Sequence, residues 1–240
     1  MRMDYGNMLG DSLGYAKDGL VGHWKRWILL IISTIIFPLM MGYTMEIWRG
    51  KKPAPEPEQW GKLFIDGLKL LVAGIVYAIP VILIILVFGG FALFGAFQAA
   101  AMSGDPNYFT THTSELMPLF AGFMVGLLIA FIVAIIIGLF STIGFVRMAR
   151  TERFGEAFNF GAILGTIGKI GWGSYIVALI ILFIVAGIIA FVLNLISMIP
   201  FIGFILWLVL LPFLIIFEAR YICMVYESAG EQQGAPQGTA

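Results

Sequence analysis

Apolar and polar positions along the chain fall into long apolar runs separated by charged stretches that repeat with a helical step. In residues 5–24, Tyr5, Met8, Leu9, Leu13, Ala16, Leu20 and Trp24 recur at three- and four-residue steps, with Asp4, Asp11, Lys17 and Asp18 among them. That step predicts an amphipathic helix at a membrane surface. It returns in Glu58-Gln59-Trp60-Gly61-Lys62-Leu63-Phe64-Ile65-Asp66-Gly67, where Trp60, Leu63, Phe64, Gly67 and Leu68 share one face and Lys62, Asp66 and Lys69 another. A second copy reads Glu152-Arg153-Phe154-Gly155-Glu156-Ala157-Phe158-Asn159-Phe160-Gly161. Both fit Glu-x-aromatic-Gly-x-x-Phe-x-x-Gly, and each precedes an apolar run. Trp60, Gly61, Phe64 and Gly67, with Phe154, Gly155, Phe158 and Gly161, are the candidate interfacial anchors. Glycine lowers helix stability by about 1 kcal/mol relative to alanine, so its repetition predicts close backbone packing. Tyr15-Ala16 and Gly22 form a weaker third copy.

Residues 70–101, 116–146 and 172–226, the last interrupted at Pro200, are each long enough for one or two spans of about 20 residues. Strand-period alternation is absent, which predicts an all-α membrane protein rather than a barrel. Pro80 and Gly89-Gly90 are the expected bends in the first of these runs. Gly122, Gly126, Ala130, Ala134 and Gly138 make a small-residue stripe suited to close helix contact, with the preceding helix the favoured neighbour over a second copy of the chain. Residues 51–57, proline-spaced, read as an extended linker, and residues 228–240, rich in Gly, Gln and Ala, as a disordered cytoplasmic tail.

Composition strengthens the membrane reading: of 240 residues, 60% are hydrophobic and 12% charged, with mean hydropathy +0.98, more apolar than a soluble domain can bury. Charge bears on residues 27–48, where Pro38 leaves two readings open, one kinked span or a hairpin. The 14 Lys and Arg residues sit in four clusters, with none between Lys69 and Arg147 or between Lys169 and Arg220. A hairpin puts every cluster on the inner side and is favoured by the positive-inside rule. The expected protein is a single membrane domain, residues 1–227, built from three units at about 1–49, 58–150 and 152–226. Each unit is an inner-surface amphipathic helix followed by a membrane hairpin. About six segments are then membrane-embedded, the first pair short and re-entrant, with both termini cytoplasmic and the protein in the cell membrane. No signal-peptide pattern precedes the first apolar run, which is expected to be retained.

Candidate chemistry is sparse. Net charge is zero, which excludes a strongly basic nucleic-acid-binding surface. The single Cys223 excludes an intrachain disulfide and a paired-cysteine metal site. His23 and His112 alone do not make a zinc site. Phosphate-loop, dinucleotide and zinc-protease motifs are missing, and Ser33, Ser141 and Ser197 have no neighbouring histidine base. No catalytic residue, metal or cofactor is expected. Glu46 and Glu218 read as interfacial partners of Arg49 and Arg220, Asn194 as an interhelical hydrogen-bonding group, and Trp24, Trp27, Trp48, Trp60 and Trp172 as headgroup-layer anchors.

Tyr15-Ala16-Lys17-Asp18, the Pro38 turn, Gly42-Tyr43 running to Arg49, Trp60-Gly61 with Phe64 and Asp66-Gly67-Leu68-Lys69, and Arg153-Phe154-Gly155-Glu156-Ala157-Phe158 together resemble the archaeal family catalogued as domain of unknown function 4013. The resemblance covers nearly the whole chain except the tail. It implies an archaeal plasma-membrane protein and carries no established activity or catalytic residue. Two readings of function stand. One is a non-enzymatic membrane scaffold or accessory subunit engaging lipid or a partner protein; the other is a small transporter or channel-like permease for a neutral or lipid-like solute. The expected partners are membrane lipids, then a membrane or cytoplasmic protein or a second copy of the chain, and no nucleic acid.

Overall fold

The structure, a computed structural model, describes residues 3–199 and 202–230. The expected tail beyond residue 230 and the centre of the Pro200 turn lie outside the described residues. All regular structure among the described residues is helical: α1 (Tyr5–Leu20), α2 (Trp24–Ile35), α3 (Phe37–Trp48), α4 (Trp60–Ser103), α5 (Tyr108–Thr111), α6 (Thr113–Thr151), a 3₁₀ turn (Phe154–Phe158), α7 (Phe160–Ile170), α8 (Trp172–Ser197) and α9 (Ile202–Glu227). Four of these, α4, α6, α8 and α9, are long and apolar enough to cross a membrane. This is the pattern of an integral membrane protein. The chain divides into two compact units, the described part of Met1–Ala73 with Phe140–Ala240, and Gly74–Leu139.

In the larger unit, the Asp4 carboxylate caps α1 by accepting from the Asn7 backbone N–H at 3.0 Å. The helix ends at Leu20 rather than running on to Trp24, because Gly22 takes φ +84°. Its buried face, Met8, Ser12, Ala16, Gly19 and Leu20, packs along α9. The first apolar segment is not one helix. Pro38 brings no N–H, Ile36 leaves helical conformation at φ −92° and ψ 78°, and Pro38 enters the first turn of α3, where its missing donor is tolerated. The two pieces have 12 residues each, about 18 Å at 1.5 Å per residue and well short of a bilayer core of about 30 Å. The linker after α3 returns to the start of α2. Arg26 donates from Nε to Glu56 at 3.1 Å and from Nη1 to the Gly19 carbonyl at 2.9 Å, while the Tyr43 hydroxyl donates to the Pro55 carbonyl at 3.0 Å.

Helix α3 is buried on most of its circumference, through Leu39, Met40, Gly42, Tyr43, Met45, Glu46, Ile47 and Trp48, as expected of a central helix. The beginning of α4 passes close against it. A Cβ on Gly67 would stand 1.7 Å from the Pro38 carbonyl oxygen, and one on Gly42 would stand 1.9 Å from that of Leu63. Only hydrogen at both positions permits the approach. With 44 residues, α4 is about twice as long as a span needs, and its opening stretch, residues 60–73, which belongs to the larger unit, is its header. Pro80, Gly89 and Gly90 do not interrupt it.

The smaller unit is the hairpin of the remaining parts of α4 and α6. Gly126 receives Phe88, whose Cβ would lie 2.3 Å from an added Cβ, and Gly89 lies against Phe123 and Gly95 against Leu119. Of the small-residue stripe, Gly126 and Ala130 are buried, Gly138 is half-buried, and Gly122 and Ala134 are exposed. A four-residue step drifts around a helix of about 3.6 residues per turn, so only the middle of the stripe meets the neighbour. In the connecting loop, the Tyr108 ring stacks on His112 at 4.6 Å and its hydroxyl donates to Glu115 at 2.8 Å.

Candidate functional site at the charged end of the larger unit

Residues from α1, α3, α4, α6, α7 and α9 bring the basic clusters of the sequence together, and carboxylates from equally distant segments meet them. The hub is Arg49, immediately after α3. One guanidinium nitrogen contacts Glu46, a second donates to Asp66 Oδ2 at 2.7 Å, and Nε lies 3.2 Å from Glu152 Oε1. Lys51 and Lys62 also reach Glu46, the latter at 3.3 Å, and Lys69 reaches Asp66 at 3.2 Å. The side chains of Glu46 and Asp66 are 6% and 5% exposed, whereas Glu152 is 63% exposed. Burial alone would raise the Glu46 pKa; the hydrogen bond from Lys51 and the charges of Arg49, Lys51 and Lys62 outweigh it and hold the carboxyl below its ordinary value.

Backbone chemistry sets up this hub. Gly50 turns the chain at φ +85°, a conformation that suits glycine, and a Cβ there would sit 2.6 Å from Arg150 Nη1 and push that guanidinium aside. Glu152, at the end of the α6 turn, adopts φ +56° despite carrying a side chain. Among the residues around this hub, Arg49, Lys62, Asp66, Lys69 and Glu152 line a cavity of about 430 Å³, with Met45, Ile65, Met148 and Phe154 completing its wall.

Two further groups adjoin it. Arg220 donates from Nε to Asp11 Oδ2 at 3.0 Å and lies over the Tyr15 ring at 5.4 Å. Arg150 donates to Glu227 at 2.6 Å and to the buried Cys223 sulfur at 3.2 Å. Burial pushes the Tyr15 phenol well above its ordinary value despite the Arg220 charge. Arg147 donates to Glu156 at 2.8 Å and Thr166 at 3.3 Å, and that hydrogen bond, with one from Asn159, holds the Glu156 carboxyl below its ordinary value.

The structure treats the sequence motif unevenly. Leu63 and Gly67 are buried, Trp60 is half-buried, and Gly61 and Phe64 are exposed. Asp66, expected on the polar face, is buried because Arg49 and Lys69 neutralise it there. In the second copy, Phe154 and Phe158 form an edge-to-face pair at 5.6 Å on the 3₁₀ turn, and Gly155 and Gly161 are exposed. The Asn159 side chain accepts from the Ala162 N–H at 3.2 Å and starts a fresh helix. Consequently the stretch whose burial pattern parallels that of Trp60–Leu70 begins at Phe160, six residues after Phe154. Leu63, Asp66, Gly67 and Leu70 are buried, as are Ile163, Thr166, Ile167 and Ile170, and Lys69 and Lys169 are both exposed. Asp66 meets Arg49 as Thr166 meets Arg147.

Glu46 pairs with Arg49 as expected, but Glu218 does not pair with Arg220. Residues two apart project to opposite sides of a helix; Arg220 turns to Asp11 and Glu227, and Glu218 is half-buried with no ionic or hydrogen-bonding partner among the described residues. Asn194, expected between helices, and Gln98 are exposed. The sequence pattern assigns no ionic partner to Asp11, Glu152 or Glu227, which meet Arg220, Arg49 and Arg150 only in the fold. The equality of 14 acidic with 14 basic residues is the one signal that pointed to them.

Among the described residues, no group of three His, Cys, Asp or Glu side chains is arranged to hold a metal ion. A family model described as "Protein of unknown function (DUF4013)" matches residues 27–198. No curated protein and no solved structure matches the chain.

Proposed function

We propose, from the premise that the chain belongs to the DUF4013 family of proteins of unknown function, that it is a non-catalytic membrane scaffold or accessory subunit whose header helices engage lipid or a partner protein. The observation that carries this reading is the shared design of the two headers. Each buries one face against its own unit and leaves the other outward, with Phe64, Ile65 and Leu68 beside Lys62 and Lys69 in the first, and Phe160 and Leu164 near Lys169 in the second. Apolar residues flanked by lysines suit a headgroup layer. The basic clusters would then face the cytoplasm, with both termini on that side. Purification from native membrane followed by identification of retained lipids and proteins tests the reading. Reproducible retention of one partner or lipid class supports it; a protein that emerges alone and drives solute flux in liposomes contradicts it.

A second reading, a small permease for a neutral or lipid-like solute, draws on Glu218. An ionisable group within a spanning helix and without a counter-charge is costly and often functional. Flux into liposomes that Glu218→Gln abolishes would favour this reading over the first.

A further inference from the structure

The cavity beside Arg49 combines features that ion pairing alone does not explain. Arg49 Nε is buried without a hydrogen bond, although Glu152 Oε1 comes within 3.2 Å. Its other two nitrogens are taken by Glu46 and Asp66, which are deeply buried and cannot leave without stranding a charge. Glu152 differs from both. It is 63% exposed, reaches Lys62 only at 4.0 Å, and is held in the left-handed region that residues with a side chain rarely adopt. Strain of this kind collects at ligand-binding positions. Lys62 and Lys69 are 43% and 47% exposed at the cavity, two helical turns or about 10 Å apart along α4; each contacts a carboxylate, Glu46 at 3.3 Å and Asp66 at 3.2 Å, and keeps further donor hydrogens for an incoming anion.

We propose that this cavity is a phosphate-binding site that takes the headgroup phosphate of an anionic lipid, with the Glu152 carboxylate keeping its place when the site is empty. A phosphate oxygen offers Arg49 Nε the acceptor that Glu152 fails to provide in good geometry, and the remaining oxygens accept from Lys62 and Lys69 in charge-assisted hydrogen bonds. Ile65 and Phe154, 57% and 39% exposed, give the adjoining glycerol and acyl carbons an apolar wall. Displaced Glu152 moves out to water at little cost because it is already mostly hydrated. The inference deepens the lipid-engaging reading above and rests on it.

The test is native mass spectrometry of the full chain in neutral detergent, titrated separately with phosphatidylglycerol, phosphatidylcholine and inorganic phosphate. Phosphatidylglycerol is expected to bind more tightly than phosphatidylcholine. The paired change Lys62→Gln and Lys69→Gln is expected to weaken binding by about tenfold, and Glu152→Gln to strengthen it severalfold, since it removes the competing charge. The gain in Glu152→Gln is decisive, because misfolding cannot produce it. Saturation by inorganic phosphate with the same order of variants, and none by lipid, supports the phosphate chemistry and assigns its source to a soluble phosphate ester. Binding that is unchanged or weaker in Glu152→Gln overturns the proposal. Retention of a protein partner in the same preparation would leave the scaffold reading standing, so the two failures are separable.

Discussion

Replacing Gly67 with alanine puts a methyl group where α3 and α4 are closest. The new carbon would lie 1.7 Å from the Pro38 carbonyl oxygen and 2.9 Å from the Gly42 nitrogen. Both are backbone atoms of a buried helix, so no rotamer change relieves the clash. Restoring ordinary contact requires the helices to part by about 1.5 Å, and overpacking of this kind costs roughly 1–3 kcal/mol. Alanine gives back about 1 kcal/mol of helix propensity, leaving a net loss of up to about 2 kcal/mol and a melting temperature lower by up to about 8 °C for a chain of this size. Separation also pulls Asp66 from Arg49, which raises the cost further. Thermal unfolding in detergent reads the effect. Gly61→Ala is the internal control, because nothing lies within 4 Å of its added carbon, and that variant should melt at or slightly above the wild type. A Gly67→Ala protein that melts as high as Gly61→Ala would refute the close-packing account of the motif.

Other outcomes follow from the charged end. Arg49→Ala strands the Glu46 and Asp66 carboxylates, both about 95% buried, and should cost about 3–5 kcal/mol, seen as loss of folded protein on expression; a variant that accumulates normally would show that the lysines suffice. Arg26 holds the Glu56 carboxyl below its ordinary value mainly by hydrogen bonding, and Arg147 does the same for Glu156. Groups depressed on folding contribute stability above their unfolded value, so melting temperature should fall as pH drops below about 4, and less steeply in a protein with both Glu56→Gln and Glu156→Gln. Glu218→Gln removes a half-buried carboxyl without an ionic partner and should leave stability unchanged or raise it; a loss on thermal unfolding would reveal a partner.

The long helices were legible because an apolar run free of charge has few other ways to satisfy its backbone in a membrane. At Ile36 the sequence left a kinked span and a hairpin open at Pro38, and it was the distribution of the basic residues that favoured the broken form found there. What the sequence hid was longer-ranged. Glu-x-aromatic-Gly at Glu58 and at Glu152 pointed to a repeat, yet the second helix starts only at Phe160, because the Asn159 cap outweighs letter-by-letter similarity. The first header continues into α4, whereas Gly171, at φ +88°, separates the second from α8. Basic clusters were visible as clusters, but their partners were not. Asp11 reaches Arg220, and Glu152 reaches Arg49, only once distant segments converge. The pairing of Glu218 with Arg220 failed on helix geometry that a two-residue spacing already contained.

On the proposed topology α2 and α3 return the chain to the side it left, so that all the basic clusters share one face of the membrane. Single cysteines introduced by Lys25→Cys, Lys52→Cys, Arg153→Cys and Asn107→Cys, probed in sealed vesicles of known orientation with a membrane-impermeant maleimide, test it directly; native Cys223 is buried and should stay silent. The account predicts that positions 25, 52 and 153 label from one side and position 107 from the other. Labelling of positions 25 and 52 from opposite sides would contradict it.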